Sequence, residues 1–118
     1  MTYRRSDRVG DLIKEEIAAI VQHGDVKDPR VGFVTITSVK MSPDLKVARV
    51  YFSQMGGREE IEESSAGLNN ASGYIRRVIA RSLKLKHIPH ITFHYDESIE
   101  YSDHIEKVLR ELKEGGDR

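Results

Sequence analysis

The sequence predicts an α+β domain, a small three-stranded sheet with helices packed on one face, in the order α-β-β-α-kink-α-β-α. Three observations predict it. Residues 31–41 and 45–53 are rich in β-branched side chains, and Ser42-Pro43-Asp44 between them reads as a turn, which makes an antiparallel hairpin. Apolar residues recur at helical spacing before the hairpin, after it and near the C-terminus. A third short strand, residues 90–95, alternates Ile91, Phe93 and Tyr95 with Thr92 and His94.

The first helix is expected over residues 9–21, with Val9, Leu12, Ile13, Ile17, Ile20 and Val21 as its apolar stripe. Ser6 or Asp7 would cap it, and Gly24 would end it. Residues 25–30 form a loop in which Pro29 bars Asp28 from helix. In the first strand Val34 and Ile36 share one face, whereas Val39 and Met41 follow the other phase. That switch at Thr37-Ser38 predicts a β-bulge. In the second strand Ala48, Val50 and Phe52 share a face. Met55-Gly56-Gly57 breaks it. A second helix starts at Glu59, with Glu60, Glu62 and Glu63 near its positive end. Pro89 sits at the start of the third strand, where a missing N–H is tolerated. Tyr101, Ile105, Val108, Leu109 and Leu112 form the apolar face of a last helix, stopped by Gly115-Gly116.

At 118 residues the chain makes a single domain, with an ordered core expected over about 6–112. It has no Cys, which excludes a thiolate nucleophile and a Cys-based zinc site and fits a reducing cytoplasm. No apolar run approaches the roughly 20 residues that span a bilayer, and no secretory leader is visible, so neither membrane nor export is expected. Net charge is zero but uneven: −1 over residues 1–63, +5 over 64–95 and −4 over 96–118. A surface field follows that distribution rather than the total.

The cationic centre lies in residues 68–86. Ala71, Ser72 and Gly73 interrupt the helical pattern, and a Gly/Ser pair is a recognised cause of a kink. Beyond it Ile75, Val78, Ile79 and Leu83 share one face, while Arg76, Arg77, Arg81 and Lys84 share the other. Lys86 follows, and no Asp or Glu occurs between Ser64 and Tyr95. Solvated helix faces usually mix signs, so a row of unpaired cations points to a polyanion. Arg4, Arg5 and Arg8 could add to an RNA surface, although a solubilising terminus explains them as well. Arg30, a single loop Arg, is a further candidate.

Other chemistries find no support. There is no phosphate loop, dinucleotide fingerprint or nucleophile elbow. His87, His90 and His94 are the one metal candidate. Four residues along a strand separate His90 from His94 by roughly 13 Å, too far to share a zinc ion. The imidazoles better suit a polar surface that hydrogen-bonds or stacks on RNA bases. Glu100, Asp103 and Glu106 read as a solvated helix face. No metal, cofactor or catalytic residue is expected.

The hairpin, the helix broken at Ala71-Ser72-Gly73, the basic second half and the final strand together resemble a KH domain of the type II topology. Ordinary KH domains carry a G-x-x-G loop between the two helices. This chain has instead an A-x-G kink, which is similar to the ribosome-binding factor A family. Lys27-Asp28-Pro29-Arg30 with Gly32, Met41-Ser42-Pro43-Asp44-Leu45, Ala71-Ser72-Gly73-Tyr74-Ile75-Arg76, and Pro89 with the ten residues after it extend the resemblance from about Ser6 to Leu112. It implies a bacterial, cytoplasmic, monomeric, non-enzymatic assembly factor that binds the free small (30S) ribosomal subunit and its 16S ribosomal RNA. The same resemblance implies late maturation of that RNA, including the precursor's 5′ end, a role in growth in the cold, contacts with ribosomal proteins and release by a GTPase. A protein-interaction module on the same scaffold, without direct RNA binding, is the alternative.

Overall fold

The computed structural model describes residues 3–116 and, within them, all side chains but those of 99–105 and 114–116. The elements are α1 (Arg5–Gln22), β1 (Val34–Met41), β2 (Val47–Gln54), α2 (Arg58–Asn70), α3 (Ser72–Leu83), β3 (His90–Tyr95) and α4 (Glu97–Gly116). The sheet runs β1-β2-β3, with β1 antiparallel and β3 parallel to β2. The parallel pair requires a long crossover, which α2 and α3 supply.

Two apolar sets meet between the helices and one sheet face. Ile13, Ile17 and Ile20 of α1 join Leu68 of α2 and Ile75 and Ile79 of α3. Opposite them lie Ile36, Ala48, Val50, Phe52, Ile91 and Phe93 from the strands. Each large side chain so buried contributes about 1.5–3 kcal/mol relative to exposure.

Several boundaries move from their sequence expectations, each for a local reason. α1 starts at Arg5 rather than Val9, because the Asp7 carboxylate accepts the Arg4 N–H at 3.0 Å and makes Arg4 the N-cap in place of Ser6 or Asp7. Leu12 leaves the stripe at 41 % exposure. Gly10 takes the contact face instead, where an added Cβ would lie 3.3 Å from the Val39 carbonyl oxygen. β1 starts at Val34 rather than Val31, because the Gly32 N–H donates to Ser64 Oγ at 3.0 Å instead of to β2. Leu45 adopts a left-handed φ of 63° in the turn, so β2 starts at Val47. The bulge lies where the phase switch put it: Ile36 faces Phe52, Ser38 faces Tyr51, and Thr37 is the extra residue.

The last helix is the largest departure. Its expected apolar face includes Leu109 and Leu112, which are 60 % and 67 % exposed, and Val108, which is 37 % exposed. The side chains of Tyr101 and Ile105 lie outside the described residues. The sheet is packed by α1, α2 and α3, and every described side chain of α4 from Glu106 to Lys113 is exposed. The chain measures 62 × 40 × 20 Å with a radius of gyration of 17.1 Å, against about 13–14 Å for a compact domain of this length.

Candidate nucleic-acid interface

The helix breaks at one residue. The Ala71 N–H is shared between the carbonyls of Gly67 and Leu68, at 3.1 Å each, and the Ala71 carbonyl accepts the Ile75 N–H at 3.0 Å. With ψ at 0°, Ala71 tightens the turn and sets α3 in a new direction. Gly73 sits inside the first turn of α3, and its φ is not left-handed. Its freedom is therefore not what bends the chain. Near the break the constrained glycine is Gly67, where a Cβ would lie 2.7 Å from Val31 Cγ2 and 3.2 Å from Asp28 Cγ.

That close approach docks the loop before β1 onto α2. Asp28 holds Arg30 in a fork, with Nη2 to Oδ2 at 2.7 Å and Nε to Oδ1 at 3.0 Å. It also accepts from the Asn70 side-chain amide at 3.3 Å. The hydrogen-bonded guanidinium of Arg30 holds the Asp28 carboxyl well below the usual carboxylate range, and Asp28 raises the pKa of Arg30 in turn. Arg30 is thus neutralised by its own loop. The pair ties the Arg30 side chain to the loop that docks at the helix break.

Between loop and break lies an open groove of about 580 Å³, lined by Lys27, Pro29, Asn70, Ala71 and Tyr74 among others. Lys27 and Tyr74 were not among the sequence candidates. Both stand in stretches with visible motifs, but nothing in spacing alone shows that residues 27 and 74 share a wall.

From the groove the cations continue along α3. Arg77, Arg81, Lys84 and Lys86 are exposed. Among the described residues the ion pairs are Arg30 with Asp28 and Arg58 with Glu62, so these four have no carboxylate within bonding distance. Arg81 Nε donates to the Arg77 carbonyl at 3.4 Å, which lays its stem along the helix. Lys84 ends α3 in the left-handed conformation, with φ 49° and ψ 40°. Arg76 behaves differently. Its Nε donates to the Pro89 carbonyl at 2.9 Å and its Nη2 to the Ile88 carbonyl at 3.2 Å. These two bonds tie its guanidinium to the chain entering β3.

Arg5 and Arg8 lie on the first turns of α1 and are exposed, as is Arg4 before them. Gly10 lies against Met41. This end of α1 therefore sits toward the hairpin turn, the same sheet end at which β3 starts after Lys84 and Lys86. Among the described residues no three His, Asp or Glu side chains gather as a metal site would require. No helix among them is long and apolar enough to cross a membrane.

The family model described as ribosome-binding factor A matches residues 5–109. A ribosome-binding factor A from Citrifermentans bemidjiense is 49% identical over 109 residues, covering 92% of this chain and 91% of its own. One from Brevibacillus brevis is 48% identical over 118 residues, covering 100% and 97%. Among solved structures, the ribosome-binding factor A of Thermus thermophilus superposes with a TM-score of 0.66 at 22% identity, over 78% of this chain and 97% of that one, and shares the fold. A homology model of the Thermus thermophilus protein, fitted into a cryo-EM map of its complex with the 30S subunit, superposes with a TM-score of 0.62 at 23% identity, over 75% and 91%. By the family match and these relatives, the chain belongs to the ribosome-binding factor A family.

Proposed function

We propose that this chain binds the free small ribosomal subunit through 16S ribosomal RNA and promotes late maturation of that RNA, including processing of the precursor's 5′ end. One observation carries the reading: Arg77, Arg81, Lys84 and Lys86 form an exposed run along α3 and just past its end, with no carboxylate partner among the described residues. Unpaired cations cost self-repulsion that a polyanion relieves. Arg guanidinium groups fork onto phosphates and stack on bases. Lys27 and Tyr74 across the groove offer a charge and a ring to the same strand. The binding of the Thermus relative to the 30S subunit supports the choice of partner. The role is that of a cytoplasmic monomer without cofactor or catalysis, needed most in the cold and released by a GTPase.

The test is co-sedimentation with small subunits. Arg77→Glu with Arg81→Glu leaves the core untouched and weakens binding about ten-fold or more, with a shallower salt dependence. Unchanged co-sedimentation of the folded double variant overturns the reading. The protein-module alternative is favoured by one observation, the full exposure of Phe33 and Met55 at the open end of the hairpin. Binding that survives nuclease and high salt would select it.

A further inference from the structure

Among the described residues no helix packs on the face of the sheet turned away from α1, α2 and α3, and the composition of that face is not that of a solvated surface. Beyond the bulge, Ser38, Tyr51 and His94 stand in one cross-strand row, and Lys40, Arg49 and Thr92 in the next. Tyr51 is half-buried, while Lys40, Arg49 and His94 are exposed. The Tyr51 and His94 rings lie 5.7 Å apart between centroids, tilted by 37°. Thr92 Oγ1 holds His94 Nε2 at 2.9 Å, which fixes the imidazole beside the phenol ring.

Lys40 and Arg49 face each other directly across the strands. Like charges so placed destabilise a sheet. Neither has a carboxylate within bonding distance among the described residues. The Lys40 ammonium leans over Tyr51 at 5.8 Å from the ring centroid, near the outer reach of a cation–π contact. Asp96 bounds the platform at one end, and its carboxylate is taken by the hydroxyls of Thr37, at 2.6 Å, and Ser98. A ring beside a pair of cations and a fixed imidazole, on one sheet face, provides what single-stranded nucleic acid needs: a stacking surface for a base and charges for the flanking phosphates.

We propose that this outer face is a second binding site, distinct from α3, for single-stranded RNA. One base stacks on Tyr51 beside His94, and the adjoining phosphates lie on Lys40 and Arg49. A base entering over the ring displaces the ammonium toward a phosphate. The site rests on the reading of the chain as an RNA-binding factor but uses the opposite side of the sheet, so a factor with both faces occupied holds a free strand against the subunit it is docked on.

The chain contains no Trp, so Tyr51→Trp is a single fluorophore on this face. Titration of the full chain with a single-stranded oligoribonucleotide at low salt should quench its emission. By fluorescence anisotropy of a labelled oligonucleotide, Tyr51→Ala should lose roughly 5- to 150-fold in affinity, the range for one stacked base. Tyr51→Leu, which keeps bulk but not the stacking face, should lose nearly as much. Lys40→Gln with Arg49→Gln should flatten the salt slope by about one to two. Arg77→Glu with Arg81→Glu should keep the Trp quench while losing subunit binding. Folded Tyr51→Ala and Tyr51→Leu variants that bind the oligonucleotide like the parent overturn the proposal, as does absence of a quench. Retained subunit binding by the Arg77/Arg81 variant instead overturns the reading of α3 and leaves the quench to judge the sheet.

Discussion

Asn69 hydrogen-bonds both backbone groups of Phe93. Its Oδ1 accepts the Phe93 N–H at 2.9 Å and its Nδ2 donates to the Phe93 carbonyl at 3.1 Å. β3 is an edge strand, and this residue's polar groups point away from β2. The amide of Asn69 therefore satisfies the free edge and pins the end of α2, one turn before the basic helix, to the sheet. Asn69→Ala leaves both Phe93 groups unpaired by protein and should cost about 1–3 kcal/mol. Urea titration measures the loss, and the Phe93 amide should exchange hydrogen markedly faster.

Two glycines near the break should respond oppositely. At Gly67 a Cβ meets Val31 and Asp28 well inside contact distance, so Gly67→Ala should displace the docked loop and destabilise by roughly 1–3 kcal/mol despite the better helix former. At Gly73 the nearest atom to a Cβ is Arg77 Nη1 at 3.8 Å, an ordinary contact. Gly73→Ala should be neutral or stabilise by up to about 1 kcal/mol. Melting curves of the pair check the sign.

Adjacent arginines should separate stability from binding. Arg76→Ala removes two donors from the carbonyls of Ile88 and Pro89, for a loss of about 1–3 kcal/mol in a denaturant titration. Arg77→Ala should leave stability within about 0.5 kcal/mol and lower subunit affinity. The reverse pattern would exchange their roles.

Acid should loosen the docked loop and the start of α4. Hydrogen bonds from Ser98 and then Thr37 lower the Asp96 pKa, and Arg30 lowers that of Asp28. A carboxyl depressed in the folded state stabilises fully above its unfolded pKa of about 4, and that contribution is lost as pH falls through the folded value. The melting temperature should hold from pH 7 to about 5 and fall below 4. Asp28→Asn and Thr37→Val should each flatten that fall.

Removing residues 106–118 should barely change the melting temperature, because every described side chain from Glu106 to Lys113 is exposed. A loss under about 0.5 kcal/mol is expected, measured by thermal denaturation of the shortened chain.

Element type was legible wherever one face is buried, because burial imposes a period. The β1 bulge could be read from the phase switch at Thr37, and β3 from its strict alternation. The four exposed cations, Arg77 and Arg81 on α3 with Lys84 and Lys86 just after it, were visible because no acid interrupts the stretch. Arg30 and Arg76 look identical to them in a one-dimensional reading. What distinguishes them is a carboxylate two residues away that folds back, and two carbonyls brought up by a loop twelve and thirteen residues on.

By itself the sequence determined the α+β order, the bulge, the place of the break and the charge of the helix beyond it, since periodicity and local charge are properties of neighbours along the chain. Only the tertiary structure decided that Gly67 rather than Gly73 is the constrained glycine near the break, that Asn69 holds Phe93 at the sheet edge, that residues 106–113 of α4 are exposed, and that Tyr51 stands beside the Lys40–Arg49 pair on the outer face. Those facts depend on which distant segments meet. Close packing sets those meetings through space-filling among groups far apart in sequence, which no local pattern encodes.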